Sequence, residues 1–456
     1  MVSPVQTSPA KPSWGEAFRI YLQPIMLAML FLGFASGLPY MMVFQKMSFW
    51  LRSEGIERST IGFFYWVTFF YSFKFFWAPF VDKIKLPGLT RTLGQRRSWM
   101  LLGIVGTIVG MLICGASDPS ESLWLTVSGA LVIAFFGATL DISIDAWRIE
   151  SAPNSEQAQM AAVYTLGYRF AIIASGISMA VAGWISWPVA FVVLAGLMSL
   201  NILTVLFFVR EPEHRETKPA RSLGEAVQEY IVMPFGSFVQ RLGRWIVPVL
   251  LVVCFYRVSD FTMGVMAYPL YSDLGFTEAQ VGLTSSFWGV WITILGAMVG
   301  GLVVVKIGMM RSLLIGAVIT VITTALFAWL AVQPEPLLRD LFVTIAADNI
   351  AGGFAGTVFI AYLSSLVDKR YTATQYAFLS SIYAFFLKFM SGFSGVIVDA
   401  IDYPRFFFLT ASYTIPVALV VLFIMWRGPA LARGIADEES PTAELEPDST
   451  PAPASG

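Results

Sequence analysis

Residues 55–62 read Gly-Ile-Glu-Arg-Ser-Thr-Ile-Gly, and residues 275–282 read Gly-Phe-Thr-Glu-Ala-Gln-Val-Gly. Both octapeptides begin and end with glycine, keep an aliphatic residue before the second glycine, and join two long apolar runs. A second match recurs at a similar separation, pairing Gln159 and Ser175-Gly176 with Gln375 and Ser391-Gly392. The two matches predict a chain that is built from two related halves.

The composition places both halves in a membrane. Of the 456 residues, 57% are hydrophobic and 13% are charged, whereas roughly a quarter of an average soluble chain is charged. Crossing about 30 Å of hydrocarbon takes roughly 20 residues of helix, and twelve apolar runs are that long. The sequence therefore predicts an all-α polytopic membrane protein with twelve transmembrane helices. The predicted spans are 20–44, 60–81, 98–116, 123–146, 158–183, 187–209, 245–268, 279–305, 312–332, 339–365, 373–398 and 405–427.

Basic residues predict the orientation. With the N-terminus in the cytoplasm, that side carries twenty of the 29 lysines and arginines. The opposite side carries five, namely Lys46, Arg52, Arg58, Arg339 and Arg405. This positive-inside bias predicts two cytoplasmic termini. The first apolar run is too long for a signal peptide. The predicted organisation is a cytoplasmic N-tail (1–19), a six-helix half (20–209), a cytoplasmic connector (210–244), a second six-helix half (245–427) and a disordered cytoplasmic tail (428–456).

The middle of the connector mixes apolar and polar residues at helical spacing over 223–239. Such a stretch is typical of an amphipathic helix that lies on the cytoplasmic membrane surface. A solvated linker is the alternative.

Eight charged residues lie inside predicted spans. Each costs about 2.5–3.5 kcal/mol to insert at the helix centre, so such residues usually face a bundle interior or a water-filled path. They are found on spans 2, 4, 5, 7, 10 and 11, and they predict a protein that moves something polar. The eight residues are Lys74, Asp141, Asp145, Arg169, Arg257, Asp260, Asp348 and Lys388.

The spacing of these charges suggests partners. Arg257 and Asp260 are three residues apart, close enough to pair on one helix face, and Asp141 and Asp145 project from the same face of span 4. Four intramembrane bases suit an anionic cargo, and the nearby carboxylates suit neutralisation or proton transfer. A purely structural ion-pair role is the alternative for each. The only histidine, His214, lies in the connector, which excludes a histidine relay in the membrane.

Two six-span repeats with the same orientation are the arrangement of the major-facilitator fold. In that fold, helices 3, 6, 9 and 12 face lipid, while the remaining helices line or flank a central cavity. The distribution of the eight charges, which leaves spans 3, 6, 9 and 12 empty, agrees with this fold.

Several stretches of the chain together carry a family resemblance. In chain order they are 32–39, 61–64, 73–75 with Trp77, Pro79 and Asp82, Asp141-Ile142, 145–147, 166–169, Asp348-Asn349 with Gly352-Gly353, and 373–375. With these stretches the chain resembles the AmpG-type muropeptide permeases. The resemblance implies proton-driven import of N-acetylglucosaminyl-anhydromuramyl peptides across a Gram-negative inner membrane, as a step in peptidoglycan recycling.

The resemblance also implies site residues. Six of them match the family pattern in type, and three keep the charge but change the residue: Arg257, Asp348 and Lys388. A lysine at 388 lacks the planar bidentate fork of an arginine. The implied substrate-binding residues are Lys74, Arg169, Arg257, Asn349 and Lys388, and the implied proton-coupling or ion-pair residues are Asp141, Asp145, Asp260 and Asp348.

The expected partners are the muropeptide, protons and the lipid bilayer, with no nucleic acid, metal or cofactor, and the expected state is a monomer. One alternative is a facilitator for another bulky anionic solute, such as a siderophore complex or an acyl-coenzyme. A membrane-embedded enzyme is disfavoured because the chain has no His-Glu-x-x-His motif. A transport-dead receptor is disfavoured because the segment after Arg427 is short.

Overall fold

The computed structural model describes residues 23–151, 157–212, 233–368 and 372–434. The predicted N-tail, most of the connector and the chain beyond residue 434 lie outside the described residues. So does the greater part of the predicted amphipathic stretch, 223–232.

The described residues form twelve helical passes and no strand. Segment Ser394–Ser412 turns at Asp402, completing the eleventh pass and beginning the twelfth. The passes are α1 (Pro24–Met41, Met42–Lys46, Met47–Ser53), α2 (Arg58–Phe64, Tyr65–Thr68, Phe69–Phe73, Lys74–Phe76, Ala78–Lys83), α3 (Gln95–Gly115), α4 (Leu123–Ser151), α5 (Gln157–Trp184), α6 (Trp187–Phe207), α7 (Ile246–Phe255, Val258–Asp273), α8 (Glu278–Gly282, Leu283–Trp288, Gly289–Ile307), α9 (Met309–Ala331) and α10 (Leu338–Leu366). Helix α11 consists of Thr372–Gly392 and the part of Ser394–Ser412 before Asp402. Helix α12 consists of the part of that segment after Asp402 and Thr414–Arg427.

Ten stretches of the described chain have the length and apolarity that a membrane span requires. Helix α2 is not among them because it is divided into short segments, and the apolar part of α11 is shorter, at Phe378–Gly392. The predicted all-α fold of membrane-spanning helices is confirmed. We call the face with connections 54–57 and 274–277 the distal face, and the face with Gln23 and connection 84–94 the proximal face.

The repeated octapeptides have a structural reason. Their first glycines, Gly55 and Gly275, have φ angles of 80° and 79°, a left-handed conformation that glycine adopts without steric cost. Each glycine ends a helix, α1 in the first half and α7 in the second. In the second octapeptide, Thr277 and Gln280 also form a capping box that starts α8, which satisfies two backbone donors.

The second glycines of the octapeptides bring the halves together. A Cβ atom on Gly62 would lie 2.6 Å from the carbonyl oxygen of Gly392, and one on Gly282 would lie 2.4 Å from that of Gly176. Gly392 and Gly176 belong to the other repeated pair, so the two sequence matches are contact partners across the junction. Because only glycine allows helices to approach this closely, the repeat records two equivalent contacts, α2 with α11 and α5 with α8.

The apolar core is continuous between the halves on the distal side. One cluster of buried residues includes the core of the first half and distal residues of the second, such as Met266 and Phe406. A separate cluster, which includes Val249 and Phe359, fills the proximal part of the second half. The halves are therefore packed together near the distal face and have separate cores near the proximal face.

Two short segments cover the proximal end of the second half. The helix Met233–Leu242 precedes α7 and buries Phe238 and Leu242 in the second core cluster. After α12, residues 428–434, which the sequence assigns to the disordered tail, include the 3₁₀ turn Leu431–Arg433. The hydroxyl of Tyr362 donates a hydrogen bond to the carbonyl oxygen of Ala432 at 3.0 Å.

Candidate functional site

In the first half, one lysine lies between the two predicted carboxylates of α4. Lys74 is in a 3₁₀ segment of α2, and its ammonium is 3.4 Å from Asp141 and 3.6 Å from Asp145. Arg148, one turn further along α4, is 3.6 Å from Asp145. The side chain of Asp141 is 15% exposed and that of Asp145 is 45% exposed. The cluster is thus buried at Asp141 and open toward the proximal face at Asp145.

Asp141 is also connected to α1 and α5. The hydroxyl of Ser36 donates a hydrogen bond to Asp141 and lies 2.6 Å from the hydroxyl of Tyr164. Residues of α1 and α2 therefore contact this carboxylate of α4 directly, and α5 is connected to it through Ser36. Any movement between these helices changes the surroundings of Asp141.

In the second half, α7 is broken where the predicted ion pair lies. The first segment ends at Phe255, the second begins at Val258, and Arg257 has non-helical backbone angles. Arg257 Nε is 2.8 Å from Asp260 Oδ2, but neither atom makes a well-aligned hydrogen bond, so the contact is electrostatic. Asp260 lies in the first turn of the new segment, where the helix dipole favours a carboxylate.

The break was not predicted from the sequence, which treated 245–268 as one helix. Irregular backbone at membrane depth is tolerated only where protein or a water-filled cavity surrounds it. The side chains of Arg257 and Asp260 are 12% and 14% exposed, and Arg257 also donates a hydrogen bond to the carbonyl oxygen of Gly352 on α10 at 3.1 Å. The guanidinium of Arg257 therefore connects the break in α7 to the glycine-rich part of α10.

Two neighbouring residues of α10 differ in their contacts. Among the described residues, Asp348 makes no hydrogen bond or ion pair, although it lies close enough to Asp260 and Arg257 to interact electrostatically. The amide of Asn349 is engaged inside the second half. Its oxygen accepts a hydrogen bond from Thr293 at 2.7 Å, and its nitrogen donates to Ile345 at 2.8 Å. Asn349 therefore joins α8 to α10 and keeps one amide N–H for other contacts.

Arg169 lies near the middle of α5. In the part of the chain that the structure describes, its guanidinium has no carboxylate partner. It is seven residues before Gly176, so two helical turns place both residues on the same face. Gly176 contacts α8 of the other half. Arg169 therefore lies on the face of α5 that is turned toward the junction between the halves, two helical turns closer to the proximal side than Gly176.

Lys388 of α11 lies at the junction with α2. It is 6% exposed, and its ammonium donates hydrogen bonds to the carbonyl oxygen of Thr68 at 3.1 Å and to the hydroxyl of Ser72 at 2.7 Å. The predicted base is thus present inside the membrane, and its described contacts are with the opposite half.

Sequence reasoning missed a charged cluster on the distal face. Asp273 at the end of α7 is 2.5 Å from Arg52 and 2.9 Å from Arg58. Arg58 also pairs with Asp399 at 3.4 Å, and the hydroxyl of Tyr403 donates to Asp273 at 2.9 Å. Both arginines belong to the first half and all three partners to the second. One pattern in the sequence could have predicted this cluster: arginines lie in and near the first octapeptide, and an aspartate lies just before the second.

Sequence reasoning also misplaced Lys46, which it counted among the residues of the distal side. The side chain is 0% exposed and lies between the halves. Its position near the end of a long apolar run gave no indication of this burial.

A cavity of about 620 Å³ opens on the proximal face between α1, α4 and α6. Its lining includes Trp147, Glu150 and Arg210, and none of the eight predicted charges contributes to it. No group of three or more metal-ligating side chains occurs among the described residues. The charged clusters therefore define the candidate site better than this cavity does.

Comparison with known proteins places this geometry in context. The family model described as Major Facilitator Superfamily matches residues 25–385 and 249–453. The anhydromuropeptide permease of Escherichia coli K12 is 30% identical over 89% of this chain and 81% of its own. The putative transporter AmpG 4 of Rickettsia felis is 28% identical over 89% of this chain and 98% of its own. The crystal structure of a D-xylose–proton symporter is similar in fold, with a TM-score of 0.66, 14% identity, and coverage of 91% of this chain and 100% of that one.

Proposed function

The chain belongs to the major facilitator superfamily and, within it, to the AmpG-type muropeptide permeases, and on this premise we propose that it imports N-acetylglucosaminyl-anhydromuramyl peptides together with protons. The coarser statement, that it is a multi-pass membrane transporter of the major-facilitator type, already follows from the fold and the relatives. The proposal adds the cargo, the coupling ion and the direction.

Arg169 is the observation that carries the proposal. It is an intramembrane base without a carboxylate partner among the described residues, on the helix face that follows the junction between the halves. Keeping a charge inside a membrane is costly unless it serves a partner or a path. A free carboxylate on the peptide stem of a muropeptide is such a partner, and an arginine can bind it through two parallel hydrogen bonds.

The other bases have assigned roles in this proposal. Lys74 and Lys388 add positive charge on α2 and α11, while Arg257 lies beside α10, where Asn349 keeps one amide N–H for a sugar or amide oxygen. Lys74 and Arg257 form ion pairs with Asp141 and Asp260, so cargo binding competes with those acids. Through this competition, cargo binding changes the charge environment of the carboxylates.

Two carboxylates are the proposed proton-coupling groups. Asp141 contacts Lys74 of α2 and Ser36 of α1, and Ser36 connects it to Tyr164 of α5, so helix movement changes its surroundings. Asp348 makes no hydrogen bond or ion pair in the described part of the chain. Asp145 and Asp260 are proposed as ion-pair residues of Lys74 and Arg257.

The proposed setting is a Gram-negative inner membrane with both termini in the cytoplasm. The proximal face, which carries most of the basic residues, is then cytoplasmic, and the distal face is periplasmic. The contacts described between the halves lie from the distal face to the middle of the membrane. This arrangement corresponds to a state that is closed to the periplasm.

Uptake of radiolabelled anhydromuropeptide into right-side-out vesicles tests the proposal. We expect accumulation that an uncoupler abolishes, and we expect Arg169→Ala to lose uptake while still reaching the membrane. Arg339→Ala is the matched control, because the side chain of Arg339 is 79% exposed. Uptake by wild type of a siderophore complex or an acyl-coenzyme, but not of muropeptide, would refute the cargo assignment.

A second pair of variants tests the coupling. If accumulation driven by the proton gradient persists in both Asp141→Asn and Asp348→Asn, neither carboxylate carries the proton. Normal transport by Arg169→Ala would show that Arg169 of α5 does not bind the cargo.

A further inference from the structure

Lys46 lies at the place where the two halves meet. It is the last residue of the π-helical segment Met42–Lys46 in α1, seven residues before the end of that helix at Ser53, and its side chain is 0% exposed. Its ammonium donates hydrogen bonds to the hydroxyl of Tyr268 and to the hydroxyl of Ser286, both at 2.8 Å. Tyr268 is on α7 and Ser286 is on α8, so both partners belong to the other half.

The partners of Lys46 are neutral. The ammonium also lies 4.7 Å from the centre of the Tyr268 ring, and no carboxylate among the described residues forms an ion pair with it. The acid further along α7, Asp273, is already bound by Arg52 and Arg58. A buried charge without a counter-charge is unfavourable, and a neutral side chain of similar size would close this junction more cheaply. Closing the junction between the halves therefore does not explain why a positively charged residue is placed at position 46.

The backbone is distorted on both sides of this contact. Ser286 lies in the π-helical segment Leu283–Trp288 of α8, opposite the π-helical segment that contains Lys46. These are the two π-helical segments in the described chain, and they meet through this hydrogen bond. Segments of this kind are rare and are found frequently at functional sites.

The location of the partners determines what happens when the halves separate. Because Tyr268 and Ser286 move with the second half, opening of the distal face takes them away from Lys46. Lys46 is seven residues before the end of α1, where Arg52 and Arg58 bind Asp273, so in a distal-open state its ammonium would face the entrance. An unpaired cation at that position attracts an anion.

Resting on the proposed function, we propose that Lys46 binds a carboxylate of the cargo in the distal-open state and exchanges it for Tyr268 and Ser286 when the distal face closes. Lys46 is then a substrate-binding residue for entry. On closing, the two hydroxyls replace the cargo carboxylate, which frees the cargo to move toward Arg169 and the proximal face. Selectivity for a carboxylate would thus begin at the entrance.

The test compares entry and exit kinetics of the full chain. Labelled anhydromuropeptide is offered to right-side-out vesicles, which present the distal face, and to inside-out vesicles, which present the proximal face. We expect Lys46→Gln to raise the KM for distal entry about tenfold, the equivalent of one lost charge-assisted hydrogen bond, with kcat nearly unchanged. The KM measured from the proximal side should stay at the wild-type value, and Lys46→Arg should retain most of the wild-type affinity.

The chemistry of the cargo provides a second comparison. With an anhydromuropeptide whose stem carboxylates are amidated, wild type and Lys46→Gln should have the same distal KM within about twofold. An equal increase of KM for free and amidated cargo, or an equal increase from both sides, would show that Lys46 is structural. A decrease confined to kcat would show that it serves closure alone. Each of these results overturns the proposal.

Tyr268→Phe keeps Lys46 and the aromatic ring but removes the hydroxyl partner, and it separates the roles if Lys46→Gln fails to reach the membrane. We expect its distal KM to equal or fall below the wild-type value, since Lys46 has lost a competitor of the cargo. A distal KM raised about tenfold in this variant would refute the exchange. Wild-type uptake distinguishes the two claims: its absence refutes the proposed function, whereas normal wild-type uptake with an unchanged KM in Lys46→Gln refutes only the assignment of Lys46.

Discussion

The charged clusters of the two halves are built differently although the halves repeat one fold. In the first half, Lys74 of α2 is shared by two acids of α4, at 3.4 and 3.6 Å. In the second half, Arg257 and Asp260 are three residues apart at a break in one helix, at 2.8 Å. The first cluster therefore depends on how helices pack together, and the second depends on the local path of α7.

The two clusters also differ in how far their acids are exposed to solvent. Asp145 is 45% exposed in the first cluster, whereas Asp260 is 14% exposed in the second. A pair held by one helix can stay intact while helices move, but a cluster shared by α1, α2, α4 and α5 cannot. We expect helix movement to change the first cluster directly, and we expect the second to change only when cargo reaches Arg257.

The largest effect is expected from separating the pair on α7. Arg257→Ala and Asp260→Ala each leave a buried charge without its partner, which typically costs about 3–5 kcal/mol. Each single variant should lose most of its expression or transport, and the double Ala variant should recover expression without transport. Membrane protein yield and uptake at equal protein amounts measure the two properties. Recovery of both by the double variant would reduce the pair to a structural role, and unaffected single variants would mean that the two residues are solvated.

An intermediate effect should distinguish the two acids of the first cluster. Asp141→Asn removes the buried partner of Lys74 and should lower the initial uptake rate about tenfold or more, because hydrogen bonds to charged groups contribute about 1.5–3 kcal/mol. Asp145→Asn should lower it no more than about fivefold, since an exposed pair contributes about 0–1 kcal/mol. The reverse ranking would place the sensitive part of the cluster at its proximal opening.

The smallest effect is expected at the edge of the first cluster. Ser36→Ala removes the hydrogen bond to Asp141 but leaves Lys74 in place, so a loss at the low end of the range for one hydrogen bond, about 0.5 kcal/mol or about twofold in uptake, is expected. Ser128→Ala on the exposed part of α4, whose hydroxyl bonds only its own helix in the described contacts, serves as the control. An effect of Ser36→Ala as large as that of Asp141→Asn would mean that α1 contributes more to the cluster than α2 does.

The sequence predicted the features that local pattern and composition encode. The two octapeptides predicted the halves because each requires a left-handed glycine and a close helix contact. Charges inside apolar runs predicted which helices carry the candidate site, and the spacing of Arg257 and Asp260 predicted their ion pair. These predictions needed no knowledge of how helices pack against one another.

The features that it missed depend on the junction between the halves. Lys46 resembles an ordinary residue near the end of a span, and its contacts are with Tyr268 and Ser286 of the other half. The break in α7 is equally invisible, since residues 245–268 form a continuous apolar run around the ion pair. For Asn349, residue type gave no sign that its amide is used by Thr293.

The turn that follows α12 has a practical consequence for anyone attaching a reporter to this protein. Leu431 and Ala432 are buried, Tyr362 holds the carbonyl of Ala432, and Gly434 leaves the turn with a φ of 70°. A fluorescent fusion joined directly to Arg427 replaces this anchored turn with a bulky barrel beneath α10. A fusion joined beyond residue 434 leaves the anchor intact, so yield screens should place the reporter there.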